Sequence, residues 1–158
     1  MVAKAKIEAE HAINKSMIVE AYHLCALENW GKIVELSKEA TVVFNMIDVG
    51  DYFDAAVQSL CKVRGIPLIM GGTFSQSLTV DIFRPNVGGC YVCSADNLKS
   101  ENLEKLLPSK IESITDLSFI ERNSNPIGQS NCYLCVMCAM MMVSRYSTHL
   151  INDPEVAI

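Results

Sequence analysis

What this sequence lacks narrows its function first. Its glycines, at 31, 50, 65, 71, 72, 88, 89 and 128, form neither G-x-G-x-x-G nor G-x-x-x-x-G-K-[ST]. A doubly wound sheet usually cradles a nucleotide's phosphates with such a turn, so the chain supplies no recognisable cradle of its own. No run of about 18 uncharged apolar residues is present, and no transmembrane helix is expected. The longest apolar stretch, Cys132 to Val143, is too short to span. No Lys/Arg cluster appears and the net charge is −5, which argues against nucleic-acid binding. Glu8, Glu10 and His11 interrupt any apolar core of a signal peptide near the N-terminus. A targeting segment already removed stays open.

Charged residues are also sparse, at 20%, while 50% of the chain is apolar. The mean hydropathy is +0.22. This composition excludes disordered, collagen-like and low-complexity classes. A length of 158 residues corresponds to a single domain, long enough to bury a sizeable core. The apolar excess suggests that a partner covers part of the surface. Seven cysteines, an odd number without the spacing of a secreted disulfide framework, fit a reducing compartment or zinc. The cytoplasm, or an organelle matrix after removal of a targeting segment, meets that condition.

Periodicity outlines an α/β chain. Ala3 to Asn14 reads as a helix, Met17 to His23 as a strand, and Leu27 to Ser37 as a helix with an apolar stripe. Thr41 to Ile47 is a nearly continuous apolar run, the pattern of a strand buried on both faces. Tyr52 to Val63 follows as a helix, with Gly65 as its stop. Pro67 to Met70 and Leu78 to Phe83 read as strands joined by a tight turn near Phe74 to Ser77, an antiparallel addition. Residues 94 to 125 read as irregular, with one short helix near Leu103 to Leu107, and Ser130 to Leu150 as a long apolar closing helix. The alternation predicts a mostly parallel sheet with flanking helices.

Few groups have the spacing of a chemical site. Cys90-Tyr91-Val92-Cys93 presents two thiols from a turn, as a tetrahedral zinc requires. Cys132 and Cys135, at i and i+3 on the closing helix, are the candidates to complete four ligands. The competing reading is that Cys132, Cys135 and Cys138 are core residues, since free cysteine is often buried. Zinc is preferred over a redox role because nothing in the sequence places the Cys90 pair at a helix N-terminus. Asp48 ends the central apolar strand, where α/β sheets bind ligands, and is a candidate for Mg²⁺ or a nucleotide. Asp51 is the better-placed cap for the next helix. His11, His23 and His149 form no catalytic set with a nucleophile. Met137, Met140, Met141 and Met142 read as core or a subunit interface.

Several stretches, taken in order, resemble the ubiquitin-activating enzyme family, including the ThiF- and MoeB-type adenylyltransferases. Glu8 to Asn14 resembles its helix ending in Ile-Asn-Pro, with Lys15 in place of Pro, and Met17 to Tyr22 its next strand. Leu27-Glu28-Asn29 resembles its Thr-x-Glu-Asn, and Val42 to Asp48 its strand ending in Thr-Asp-Asn. Pro67-Leu68-Ile69 and Gly71 to Val80 resemble its Pro-Leu-Val, Ser-Gly and Gly-x-Val run. Cys90 to Cys93 resembles its first zinc pair, and Pro126-Ile127-Gly128 with the helix after it the closing helix.

The resemblance implies a partial Rossmann-like sheet without the first Gly-rich βαβ portion, as one incomplete domain over residues 1–158. Family members bind ATP and Mg²⁺ and adenylate the C-terminal Gly of a ubiquitin-like protein. Of the nucleotide site only Asp48 carries over; Val49 stands where the family has Asn. The family's second Cys pair lies beyond the closing helix, so Cys132 and Cys135 are not its equivalents. No cysteine occurs in residues 94–125 to act as a catalytic thiol. The chain is therefore expected to be inactive alone. It is expected to act as a structural or docking subunit of a larger complex. The alternative is the C-terminal half of a split adenylyltransferase, joined to a chain that supplies the nucleotide-binding half.

Overall fold

The computed structural model describes residues 16, 18–74, 76–95, 98, 100–121 and 132–148. The elements are α1 (Trp30–Leu36), which runs into a 3₁₀ turn (Ser37–Glu39), β1 (Val43–Asn45), α2 (Asp51–Arg64), β2 (Leu68–Phe74) and β3 (Ser77–Phe83). Three one-turn helices follow: α3 (Tyr91–Ser94), α4 (Ser100–Leu103) and α5 (Pro108–Ile111). The last is α6 (Cys132–Tyr146). The expected helix at Ala3 to Asn14 lies outside the described residues.

The described sheet has three strands in the order β1-β2-β3. β1 pairs parallel to β2 with Val43 opposite Leu68. β2 pairs antiparallel to β3, from Leu68 opposite Phe83 to Phe74 opposite Ser77. The α/β class and the tight antiparallel hairpin match the sequence reading. The sheet itself is small and mixed, with one pairing of each kind, rather than mostly parallel.

Helix α2 is built as its sequence dictates. Asp51 and Asp54 occupy its first turn and Lys62 and Arg64 its last, which complements the helix dipole. Phe53, Ala56, Val57 and Leu60 recur at helical spacing and are buried. Gly65 takes the left-handed conformation (φ 67°) that L side chains avoid. Its N–H donates to the Lys62 carbonyl (3.3 Å), and the Ile66 N–H donates to the Cys61 carbonyl (3.0 Å). These bonds satisfy carbonyls that the helix end would leave bare. The residue before the helix is Gly50 rather than Asp51, which forms part of the first turn.

The strands place alternate side chains on opposite faces. Leu68 joins the main core with Leu27, Trp30, Phe53, Leu60, Leu106, Ile111 and Leu117. Ile69 faces the other way, onto Cys138 and Met142 of α6. The result is a sheet between two helical layers. Trp30 is fully buried, donates its indole N–H to the Ile111 carbonyl (3.2 Å) and meets Phe53 edge-on at 6.1 Å. The Gly31 N–H donates to the Thr115 carbonyl and the Leu117 N–H to the Leu27 carbonyl, which straps residues 115–117 onto α1 and the turn before it. Arg64 and Glu112 pair at 2.7 Å beside this strap.

Gly71 lets α6 approach the sheet. A Cβ there would collide with the sulfurs of Met142 and Cys138. Small residues at such a crossing are a packing requirement.

Three local readings need correction. Residues 18–23 contain no strand, and Ile18 is 87% exposed. Alternating side chains alone do not make a strand where no neighbour completes its hydrogen bonds. The run from Thr41 to Ile47 contributes only Val43–Asn45, and it is not buried on both faces. It is an edge strand of the described sheet, with Phe44 43% exposed. The helix expected at Leu103 to Leu107 is replaced by two single turns, because Pro108 starts a new one. The methionines of α6, read as core or a subunit interface, include a buried Met142 and a 68% exposed Met140, and nothing here contradicts either reading.

Candidate functional site

A cavity of about 350 Å³ opens beyond the carboxyl ends of the parallel pair β1 and β2. The loop after β1 contributes Met46, Ile47 and Asp48, and the second half of β2 contributes Gly71, Gly72 and Thr73. Asp81 enters from β3, Asp54 from α2, Tyr91 from α3 and Cys135 from α6. Asp48 thus lies where the sequence expects a ligand site.

Asn45 organises the floor. It is the last residue of β1 and is buried. Its amide donates to Asp54 Oδ1 at 2.7 Å. Its own Oδ1 accepts the Ile47 N–H at 3.2 Å, turning the chain out of the strand toward Asp48. Burial pushes the Asp54 carboxyl up to about 6, opposed by the Asn45 hydrogen bond and reinforced by the charge of Asp51.

Tyr91 ties the cavity to the Cys90 segment. Its hydroxyl donates to Asp51 Oδ1 at 2.7 Å, and its backbone N–H donates to Gln58 Oε1. Its ring packs edge-on to Phe83 at 6.2 Å. Burial, then the hydrogen bond to Asp51, holds the phenol well above its ordinary value. Asp51, Asp54 and Gln58 all come from α2, at the spacing of one helix face. The sequence reading missed Asn45, Asp54 and Tyr91. The signals were a lone polar residue inside an apolar strand, and two aspartates three apart at a helix start.

The thiols separate into different places. Cys90 caps the start of α3 and its Sγ lies 3.0 Å from that of Cys93. The pair therefore does stand at a helix start, contrary to the sequence reading. Cys132 is exposed on α6, and Cys135 is half-buried at the cavity by Asp48. Among the described residues, no group of three or more His, Cys, Asp or Glu is arranged to hold a metal ion. The structure brings Cys90 and Cys93 together; it does not assemble them with Cys132 and Cys135.

Electrostatically, the cavity by Asp48 is one-sided. Its described lining carries the carboxylates Asp48, Asp54 and Asp81, and none of it is Lys or Arg. Such a surface attracts cations and repels a bare phosphate.

The fold and cavity define an α/β protein with a small mixed sheet and a ligand-sized cavity at its strand ends. No protein-family model matches the chain, and neither a curated protein nor a solved structure shows significant similarity to it. No helix among the described residues is long and apolar enough to cross a membrane.

Proposed function

We propose that the chain is a subunit of the ubiquitin-activating-enzyme type, with a ThiF/MoeB-like partial Rossmann-like fold, that has no catalytic activity alone. It serves as a structural or docking component of a larger protein complex. The observation that carries this reading is the charge of the cavity at the strand ends. Adenylation needs a cradle of N–H groups or cations around a triphosphate. Here Asp48, Asp54 and Asp81 line the described cavity without a cationic side chain to offset them. The sequence contributes no phosphate-binding loop either.

The docking half of the reading is supported by the outer edge of β1. Among the described residues no strand pairs with that edge. Phe44, Met46 and Ile47, on and just beyond it, are 43%, 43% and 48% exposed. Open edges and contiguous apolar surface are features that proteins normally cover. Seven free thiols fit residence in a reducing compartment.

A second reading is favoured by Asp48. A carboxylate beyond a parallel strand is suited to Mg²⁺, so a partner chain bearing the Gly-rich half would complete a split adenylyltransferase for a ubiquitin-like protein. ATP–pyrophosphate exchange separates the readings. The purified chain should give none, and measurable exchange without a partner would overturn the proposal. Exchange that appears only with a Gly-rich partner, and disappears in Asp48→Ala, would establish the split enzyme instead.

A further inference from the structure

A second cavity, of about 310 Å³, ends at Cys90, the residue before α3. It is bounded by α2 and by the loop from Arg84 to Gly89, and Cys90 forms part of its wall. Lys62 and Arg84 line it, and none of its described lining residues is acidic. Its charge is thus opposite to that of the cavity by Asp48. We propose that Cys90 and Cys93 form a thiol–disulfide exchange site for an anionic low-molecular-weight disulfide, whose charged arm sits in this basic cavity.

The two sulfurs are already in contact at 3.0 Å. A disulfide bond is about 2.05 Å, so closure moves one sulfur by roughly 1 Å. Cys93 is exposed and Cys90 half-buried, which gives an accessible attacking thiol and a recessed resolving one. The Cys90 thiol, hydrogen-bonded to Cys93, lowers the Cys93 pKa, and the charge of Lys62 adds to the effect. Cys61, in the same cavity wall, makes the contrast: burial pushes its thiol up to about 12.

The exchange balances in two steps. The Cys93 thiolate attacks one sulfur of the small disulfide, forming a mixed disulfide and releasing one small thiolate. The Cys90 thiol then loses its proton and attacks Cys93 Sγ. The Cys90–Cys93 bond forms and the second small thiolate leaves. Two protein thiols are oxidised and one small disulfide is reduced to two thiols. Tyr91 lies between the two cysteines and also lines the aspartate cavity, so the oxidised segment borders the site described above.

The test uses the reduced, full-length chain and glutathione disulfide, with neutral hydroxyethyl disulfide as control. Acid-quenched samples are read by intact mass and peptide mapping. Wild type should lose two hydrogens and yield a Cys90–Cys93 peptide pair. Cys132, exposed on α6, is the reference within the same molecule. It should react with glutathione disulfide about tenfold more slowly or less. Cys90→Ser should accumulate one glutathionyl group on Cys93. Lys62→Glu should lower the ratio of the glutathione rate to the neutral rate; both reagents meet the same thiol, so the ratio isolates the cavity's charge. Equal reactivity of Cys93 and Cys132 in wild type would overturn the proposal, as would a ratio unmoved by Lys62→Glu. Thiols that react only after a chelator strips a bound metal would also overturn it. None of these outcomes depends on the activating-enzyme reading, which ATP–pyrophosphate exchange tests separately.

Discussion

Replacing Asp54 by Asn should stabilise the protein, and only where the carboxyl would otherwise be charged. The carboxyl titrates near 6 in the fold, against 3.8 for an unperturbed aspartate. Holding the proton to a pH about two units higher than the unfolded chain does corresponds to about 3 kcal/mol. The side chain is only partly buried, and solvent screening reduces this to roughly 1–2 kcal/mol. The sign follows from proton binding. Below 3.8 both folded and unfolded chains hold the proton, so the group costs nothing. As pH rises from 3.8 to about 6 the unfolded chain releases it first, and folded-state stability falls. Above that window the full cost remains. Asn is neutral throughout, and its Oδ1 still accepts the Asn45 amide.

Urea unfolding of wild type and Asp54→Asn should therefore differ by no more than about 0.5 kcal/mol at about pH 4 and by roughly 1–2 kcal/mol in favour of Asn at about pH 8. These conditions bracket the isoelectric point near 5.1. A difference of the same size at both pH values, or an Asn variant that is less stable at the higher one, would refute the reasoning. Carboxyl NMR of the wild type should show the same group titrating near 6.

Other substitutions probe the packing. Gly71→Ala should cost about 1–3 kcal/mol in urea unfolding, because its Cβ drives α6 off the sheet; an unchanged midpoint would mean that α6 does not sit against Gly71. Gly65→Ala should cost roughly 1–2 kcal/mol through backbone strain alone, since no atom lies near its Cβ position. Leu68→Ala should cost about 2–5 kcal/mol, as it empties the junction between β2 and the main core; a loss below that range in thermal or urea unfolding would place Leu68 outside the core.

Legibility in the sequence tracked how local each constraint was. Helix α2 and its Gly65 stop were readable because dipole, stripe and cap all lie within one stretch of chain. The hairpin of β2 and β3 was readable for the same reason. Val43–Asn45 was read too long because apolar content does not reveal whether a strand is central or at an edge. The expected strand at Met17 to His23 failed because pairing is decided by neighbours distant in sequence. In the site, Asp48 was legible from its place after an apolar strand. Asp54 was not, because its raised pKa arises from burial and from the nearby charge of Asp51, against the pull of the Asn45 hydrogen bond, and only the packed structure supplies these. The placing of the four cysteines was not legible: i and i+3 spacing aligns Cys132 with Cys135 but does not fix which way α6 faces when it docks on Gly71.

The most direct test of the proposed role is native mass spectrometry of the complex isolated from its source, with partners identified by peptide sequencing. The chain should appear in a stoichiometric assembly that lacks any subunit bearing a G-x-G-x-x-G half. In that assembly Phe44, Met46 and Ile47 should be protected, and Phe44→Asp should release the chain without unfolding it. A lone monomer with those side chains accessible would contradict the account, as would an assembly that adenylates a ubiquitin-like protein and stops when Asp48 becomes Ala.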